Sequence, residues 1–268
     1  MHKPFHTETR TIRVSQVQKG LGAKITALLD WMQDAAYTHS NSLIIFSTDR
    51  LLKRNMSWVL MRKLIRIFNL PFLGQKIHLT TYPSSINRYF AFRDFELRDQ
   101  NDNALVLATT SWAVFDLEKR RIIKTPPDFI RGFSPPKPAN LDFMRPRINS
   151  LVQPGLAQEI KIRKSDLDLN GHVNHACLAD WSLACLPVDL SQNLLLKEMD
   201  IVFRSECTME DNAVFSQGRL EQGSGEDRDL TCLHSLKSKA LERELARAVS
   251  VWTLPPGDQV SGHEGQLR

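Results

Sequence analysis

The sequence predicts an α+β fold of two similar units, each a long helix wrapped by a curved antiparallel β-sheet. Three observations support this: one helical stripe precedes several strand-like runs, the same order occurs twice, and a proline-rich stretch separates the two occurrences. Short turns between the runs favour antiparallel pairing, and a single helix per sheet must bury its apolar side against that sheet.

The two units resemble each other in sequence. At a spacing of 150 residues, six of twenty positions are identical: Ile12 and Ile162, Arg13 and Arg163, Ser15 and Ser165, Leu28 and Leu178, Asp30 and Asp180, Trp31 and Trp181. At a spacing of 140, the matching pairs are Leu105 and Leu245, Ala108 and Ala248, and Trp112 and Trp252. This self-similarity predicts an internal duplication.

The elements follow the same order in both units. Each begins with an alternating strand, predicted at 9–14 and 159–163, followed by a loop and one helix. Apolar residues recur at helical spacing between positions 25 and 39 and between positions 173 and 185, and Pro187 predicts a stop. The later predicted strands are 57–62, 77–82, 89–98 and 105–115, then 200–207, 213–220, 230–237 and 245–254.

Five prolines between positions 134 and 155 predict an extended linker, because proline removes a backbone donor and disfavours helix and central strand. We therefore predict a first unit at 1–133, a linker at 134–155, a second unit at 156–255 and a frayed tail at 256–268.

Composition excludes several classes of protein. The chain has 268 residues, 42% hydrophobic and 24% charged, which excludes collagen-like, low-complexity and wholly disordered proteins. No apolar run approaches the roughly 18 residues that a membrane span needs, and no signal or transit peptide is visible, so we expect a cytoplasmic protein without a membrane span. The four cysteines show no CxxC spacing, which indicates free thiols.

Charge is unevenly distributed along the chain. The net charge is +5, but residues 1–150 carry +11 and residues 151–268 carry −6. The basic half favours an acidic partner, although the charges could also be spread over solvated strand faces. The basic run at 61–67 lacks the interleaved aromatics of a nucleic-acid site. His172 and His175 lack a second ligand pair, and phosphate loops are absent, so we predict no metal, cofactor or nucleic acid.

The loop before the second helix carries the strongest chemical signal. Asp168, Asn170 and His172 alternate there, directly ahead of the helix. The N–H groups and the positive dipole end of a helix start can receive negative charge that develops on a substrate oxygen. The alternative is that Asp168 or Asn170 only caps the helix and His172 is an ordinary surface residue.

This loop, SDLDLNGHVNH, and the later segment FRSEC resemble the catalytic region of acyl-acyl carrier protein (ACP) thioesterases of the plant plastid and bacterial type. The segments LLDWMQDAAYTHSNSL, MSWVLMRKLIRI and LATTSWAVFDLEKRRIIKTPPDFI extend the resemblance over positions 5–255. It implies a tandem hotdog fold and a hydrolase that releases free fatty acid from acyl-ACP in fatty acid biosynthesis. His175 stands where the plant enzymes usually have Asn, and the long transit region is absent, which favours a bacterial-type member.

The resemblance assigns the family's catalytic pattern to particular residues. The motif Asp-x-Asn-x-His falls on Asp168, Asn170 and His172, and the Glu-Cys pair falls on Glu206 and Cys207. In one mechanism Glu206 activates water, Asp168 orients His172, and Asn170 holds the substrate or the water. Backbone N–H groups near Gly171 and Val173 would then bind the oxyanion.

The rival mechanism uses Cys207 as nucleophile, with His172 as base and Asn170 as orienter. Strand alternation bears on this choice, because Glu206 and Cys207 would point to opposite faces of a regular strand. Cys207 continues a mainly apolar face, which favours a buried core residue. A β-bulge would reverse this assignment, so both mechanisms stay open.

Only the second unit keeps the polar trio. At the spacing of 150 its counterparts are Gln18, Gly20 and Gly22, so the resemblance implies that the first unit shapes the acyl pocket and the docking face. The candidate docking residues for the acidic carrier are Arg62, Lys63, Arg66, Lys119, Arg120 and Arg121. The alternatives are a coenzyme A thioesterase and a noncatalytic acyl-binding protein of the same fold, and either a monomer or a homodimer is expected.

Overall fold

The computed structural model describes residues 3–43, 47–131, 133–142, 146–222 and 229–254. Within these residues eleven strands form one sheet: β1 (His6–Thr11), β2 (Met56–Ile67), β3 (Lys76–Ile86), β4 (Ala91–Arg98), β5 (Ala104–Asp116), β6 (Arg121–Ile123), β7 (Leu156–Lys161), β8 (Leu195–Phe203), β9 (Ala213–Gln222), β10 (Leu230–Ser238) and β11 (Glu244–Thr253). The helices are α1 (Ile25–Ser42), α2 (Thr48–Leu52), α3 (Pro127–Arg131), α4 (His175–Leu183) and α5 (Val188–Asn193). The tail predicted at 256–268 lies outside the described residues.

The strand order shows the duplication directly. Read from the sheet edge to the β2–β8 junction, it is β1-β3-β4-β5-β2 in the first unit and β7-β9-β10-β11-β8 in the second. β2 and β8 pair antiparallel, with Arg62 opposite Val202 and Arg66 opposite Glu198. This pairing joins the two half-sheets into one continuous antiparallel sheet, as the predicted α+β class requires.

Helices α1 and α4 pack against each other and against the sheet. The predicted stripe of α1 is buried, including Leu28, Met32 and Ala36. One apolar cluster contains side chains from both units, so the core is continuous across the β2–β8 junction. α4 begins only at His175, so Val173 lies before the helix rather than in it.

The proline-rich segment contains neither helix nor strand in its described part, and it crosses the sheet face opposite α1 and α4. Side chains of β4, β2 and β11 bind its backbone at successive points. The hydrogen bonds are Asn140 N–H to Asp94 Oδ1 at 2.7 Å, Arg62 Nη2 to the Pro146 carbonyl at 3.2 Å, and Arg247 Nη1 to the Ile148 carbonyl at 2.9 Å. The segment therefore straps both half-sheets on their outer face.

Some element bounds differ from the predictions. β1 and β7 end before the predicted strands do, because Val14–Gln16 and Lys164–Asp166 form short 3-10 turns close behind them. β8 ends at Phe203 instead of position 207. Glu206 and Cys207 therefore follow the strand and are not part of it.

Candidate active site

The loop that precedes α4 closes as a tight turn. Leu167 and Val173 form an isolated antiparallel bridge, and inside it the N–H of Asp168 donates to the His172 carbonyl at 2.7 Å. Gly171 takes a φ of +79°, in the left-handed region that favours glycine. The turn therefore presents positions 168–172 at the surface directly before the helix.

Asp168 holds the backbone of this turn. Its Oδ1 accepts the N–H of Asn170 at 2.8 Å and the N–H of His172 at 3.1 Å. The carboxylate of Asp168 therefore contacts His172 through its backbone N–H. Asn170 is exposed, and its side-chain amide has no hydrogen bond to the residues that the structure describes.

His172 and Glu206 meet at the mouth of the turn. His172 Nε2 lies 3.5 Å from Glu206 Oε2, and the two side chains are 36% and 45% exposed. The distance allows an ion pair when the imidazole is protonated, and the exposure leaves both groups open to water and substrate. The structure thus brings together an acid and an imidazole that lie 34 positions apart in the sequence.

Cys207 points away from this pair and into the protein. It is 1% exposed and belongs to the shared apolar cluster. Burial, assisted by the nearby charge of Asp211, raises the pKa of its thiol to about 12. The side chains of Glu206 and Cys207 therefore point in different directions, as expected. The cause is the irregular segment after β8 and not alternation along a strand.

The backbone donors expected to bind an oxyanion are already engaged. The N–H of Gly171 donates to the Asp168 carbonyl at 3.1 Å, and the N–H of Val173 donates to the Cys207 carbonyl at 2.7 Å. The N–H of His172 donates to the Asp168 carboxylate. The expectation that Gly171 and Val173 offer free oxyanion donors is therefore wrong for this structure.

Three of the predicted docking residues lie at the junction of the units. Lys63 is 2% exposed, so its assignment to a docking surface is wrong. Arg62 donates to Asp200 through Nε at 2.8 Å and Nη2 at 2.5 Å. Arg66 donates to Glu198 Oε2 through Nε at 3.0 Å and Nη2 at 2.9 Å. Arg62 and Arg66 in β2 thus form ion pairs with β8 that link the two half-sheets.

The other three lie in or beside the turn between β5 and β6, and all three are exposed. Lys119 Nζ lies 3.8 Å from Asp116 Oδ2, and Arg121 stands opposite Asp116 in the strand register. Arg120 reaches across the junction, where its Nη2 lies 3.5 Å from Glu206 Oε2. The first unit therefore contributes a cation to the polar site of the second.

A polar cluster around the buried Lys63 lies beside the site and was not predicted. Lys63 Nζ lies 3.2 Å from His175 Nε2, and Asn174 Nδ2 donates to Asp30 Oδ1 at 3.4 Å. Burial lowers the pKa of Lys63 to about 7, against the opposing charge of Asp30, and lowers the pKa of His175 well below its usual value. The sequence signal was Lys63 itself, a lysine followed by the apolar residues of a central strand.

The described residues contain neither a metal-binding cluster nor a helix suited to a membrane span. No three His, Cys, Asp or Glu side chains in those ranges converge to hold a metal ion. None of the helices there combines the length and apolarity needed to cross a membrane.

The continuous antiparallel sheet and the two packed helices define a double-hotdog protein. The model of the acyl-ACP thioesterase N-terminal domain matches residues 4–133, and that of the C-terminal domain matches residues 150–254. The chain therefore belongs to the acyl-ACP thioesterase family, as its motifs predicted.

Named relatives support this assignment. The chain is 26% identical over 265 residues to the chloroplastic dodecanoyl-[acyl-carrier-protein] hydrolase of Cinnamomum camphora, covering 94% of this chain and 68% of that protein. It is 26% identical over 281 residues to the chloroplastic oleoyl-acyl carrier protein thioesterase 1 of Arabidopsis thaliana, covering 94% and 76%.

Solved structures confirm the predicted fold. The 12:0-ACP thioesterase from Umbellularia californica superposes with a TM-score of 0.85 at 24% identity, covering 95% of this chain and 96% of that one. An acyl-ACP thioesterase from Bacteroides thetaiotaomicron gives a TM-score of 0.77 at 20% identity, covering 93% and 98%.

Proposed function

We propose that this chain hydrolyses the thioester of acyl-ACP and releases free fatty acid, with Glu206 activating the water. The observation that carries the proposal is the exposed pair of His172 and Glu206, 3.5 Å apart in front of α4. The substrate class comes from the family, whose named relatives are hydrolases and thioesterases of acyl-ACP.

The reaction uses the side chains of the turn. Glu206 takes a proton from water as the water oxygen attacks the thioester carbonyl carbon. The exposed Asn170 amide donates to the carbonyl oxygen as it becomes an oxyanion, a task for which the engaged backbone donors are not free. The C–S bond then breaks, the carrier thiolate takes the proton from Glu206, and fatty acid leaves. His172 positions the Glu206 carboxylate, and Asp168 stabilises the backbone of the turn.

The covalent route through Cys207 has less support. A nucleophilic cysteine needs access and a thiolate, and enzymes obtain the thiolate by lowering the thiol pKa. Cys207 is 1% exposed, and burial raises its pKa to about 12. Its observed environment is that of a core residue.

We assign the remaining roles to the two units as follows. The first unit shapes the acyl pocket, and its exposed basic turn at 119–121 docks the acidic carrier in place of the wider surface expected from sequence. The β2–β8 pairing supplies the junction within one chain, so a monomer suffices for the site. The four cysteines are free in the structure, which favours a reducing compartment such as the cytoplasm.

Two substitutions test the mechanism. Purified protein is assayed for release of free thiol from a series of acyl-ACP substrates. We expect Glu206→Gln to lower kcat by about 100-fold or more, because it removes the general base at nearly constant shape. Cys207→Ala should keep most of the activity. The opposite pattern would establish the covalent route.

The substrate class has its own test. The same acyl chain is offered on ACP and on coenzyme A, and we expect higher kcat/KM on the carrier. Added salt should raise KM for acyl-ACP far more than for a short synthetic thioester, because it screens docking between charged surfaces. A preference for coenzyme A would make this a coenzyme A thioesterase, and acyl binding without hydrolysis would make it a binding protein.

A further inference from the structure

The carboxylate of Glu206 is not held by a regular element of its own unit. β8 ends at Phe203, and Glu206 follows it in an irregular segment with 45% of its side chain exposed. Its side-chain ion pairs within the described residues are with His172 and Arg120, and both reach the same oxygen, Oε2, at 3.5 Å. A base on an exposed segment needs such partners to keep one orientation.

Arg120 is placed by a tight hairpin of the first unit. The Asp116 carboxylate accepts the N–H of Glu118 at 3.1 Å and the N–H of Lys119 at 2.9 Å. The N–H of Leu117 donates to the Asn55 carbonyl at 2.8 Å, which anchors the turn to the residue directly before β2.

The last residue of this turn has an unusual backbone conformation. Arg120 takes a φ of +48°, in the left-handed region where glycine or asparagine is favoured. A large side chain in this conformation is uncommon and is a reason to look for a role. The neighbouring Lys119 pairs back to Asp116, so Arg120 is the cation of this turn that reaches the second unit.

We propose that Arg120 is a positioning residue that the first unit supplies to Glu206 across the junction. The inference deepens the proposed function and rests on it. The guanidinium and the His172 imidazole both contact Oε2 of the carboxylate, so that Glu206 keeps one orientation while water attacks. The contact is 74% exposed on the arginine side, and exposed pairs are weak. Its loss should therefore slow the reaction without abolishing it.

The test compares Arg120→Ala, Arg120→Lys and the control Lys124→Ala, an exposed cation just after β6 and outside the docking turn, on acyl-ACP and on a short synthetic thioester. We expect Arg120→Ala to lower kcat about three- to tenfold on both substrates with KM for the short thioester unchanged. Arg120→Lys should recover most of kcat, and Lys124→Ala should keep it. Guanidinium ion at constant ionic strength should restore part of the rate of Arg120→Ala and leave Glu206→Gln inactive.

Several outcomes would overturn the inference. An effect confined to KM for acyl-ACP would make Arg120 a docking residue, and an unchanged kcat would show that the contact has no role. If turnover requires Glu206 but tolerates Arg120→Ala, this inference alone fails. If the unsubstituted protein releases no thiol from any thioester, the proposed function and this inference fail together.

Discussion

The turns before α1 and α4 share three backbone hydrogen bonds and differ in their side chains. The N–H of Gln18 donates to the Gly22 carbonyl at 2.9 Å, as the N–H of Asp168 does to the His172 carbonyl at 2.7 Å. The N–H of Lys24 donates to the Gln16 carbonyl at 2.9 Å, as the N–H of Asn174 does to the Asp166 carbonyl at 2.8 Å. The N–H of Ala23 donates to the Pro71 carbonyl at 2.8 Å, as the N–H of Val173 does to the Cys207 carbonyl at 2.7 Å. In all six bonds the acceptor is a backbone carbonyl. The last pair shows that Pro71 takes the place of Cys207.

This equivalence identifies the residues of the first unit that stand in place of the proposed catalytic pair, His172 and Glu206. Leu70 precedes Pro71 as Glu206 precedes Cys207, and Gly22 stands at the position of His172. A Cβ built on Gly22 would lie 3.2 Å from Leu70 Cδ1, so the leucine packs directly over the glycine. The first unit thus has an apolar contact where the second has an imidazole and a carboxylate. The duplicated turn is a scaffold, and its side chains decide whether it carries chemistry.

We expect the largest effect on activity from replacing His172, in the turn before α4, by glycine, the residue at the equivalent position 22 before α1. His172→Gly removes the imidazole and leaves Glu206 without its partner on that side. We expect kcat for acyl-ACP to fall by about 100- to 10,000-fold. The side chain is partly exposed, so the free energy of unfolding, measured in urea, should change by less than about 1 kcal/mol. A variant that keeps a tenth of the activity would contradict the assigned role.

The equivalent tryptophans test whether the two units depend on each other. Trp31 in α1 and Trp181 in α4 are 3% and 9% exposed, and both belong to the shared apolar cluster. Replacing either by alanine should lower the free energy of unfolding by about 3–5 kcal/mol. Because the core is continuous, each variant should still unfold in urea as a single transition by circular dichroism and fluorescence. Two separate transitions would show that the units are independent.

The start of α4 differs from the start of α1 by the titratable residue His175 and its contact with the buried Lys63. His175 stands where the first helix has Ile25, and it contacts Lys63. Burial lowers the pKa of Lys63 from 10.5 to about 7, so from about pH 7 to pH 10.5 the unfolded chain holds a proton that the folded chain lacks. Stability therefore rises with pH through this window.

Lys63→Met should remove this dependence. We expect the variant to be more stable by a few kcal/mol at pH 7, with the difference shrinking as pH rises towards 10.5. Subtracting urea unfolding free energies of the two proteins at each pH cancels the other titrating groups. A difference that is constant with pH would show that Lys63 is not buried as a neutral amine. Arg121→Ala, an exposed cation of the same unit, is the control and should give no such trend.

Sequence periodicity was enough to predict α1 and α4, and the repeated order of residues was enough to predict the duplication. The short helices α2, α3 and α5 carry no such stripe and were not predicted. The stripe of α1 is buried, and the tryptophans that matched at a spacing of 150 occupy equivalent helix positions. The separation of Glu206 from Cys207 was also expected. Its predicted cause, alternation along a strand, was wrong because β8 ends at Phe203.

The basic residues of β2 could not be placed from sequence. A strand pattern does not reveal which layers cover its two faces. Lys63 faces α4 and Arg62 faces the proline-rich strap, so both faces of this strand are covered. The role of Arg120 likewise depends on the β2–β8 junction, which brings a turn of one unit to a segment of the other.

The smallest effect is expected from rebuilding the lost pair in the first turn. In the His172→Gly background, Gly22→His with Leu70→Glu restores an imidazole and a carboxylate at equivalent positions of the same backbone. Leu70 is only half-buried, so a carboxylate there can remain solvated. We nevertheless expect turnover below about one hundredth of the unsubstituted protein.

Two missing supports account for this expectation. Gln18 offers no carboxylate to hold the rebuilt turn as Asp168 holds its own, and Arg120 remains at Glu206, so the new carboxylate lacks that positioning cation. Adding Gln18→Asp tests these supports in turn, with thiol release as the measurement. A return of a tenth of the original rate by the triple substitution Gln18→Asp, Gly22→His and Leu70→Glu in the His172→Gly background would contradict this expectation. The rebuilt turn and its imidazole–carboxylate pair would then be sufficient for hydrolysis, and the requirement for a cation from the neighbouring unit would be refuted.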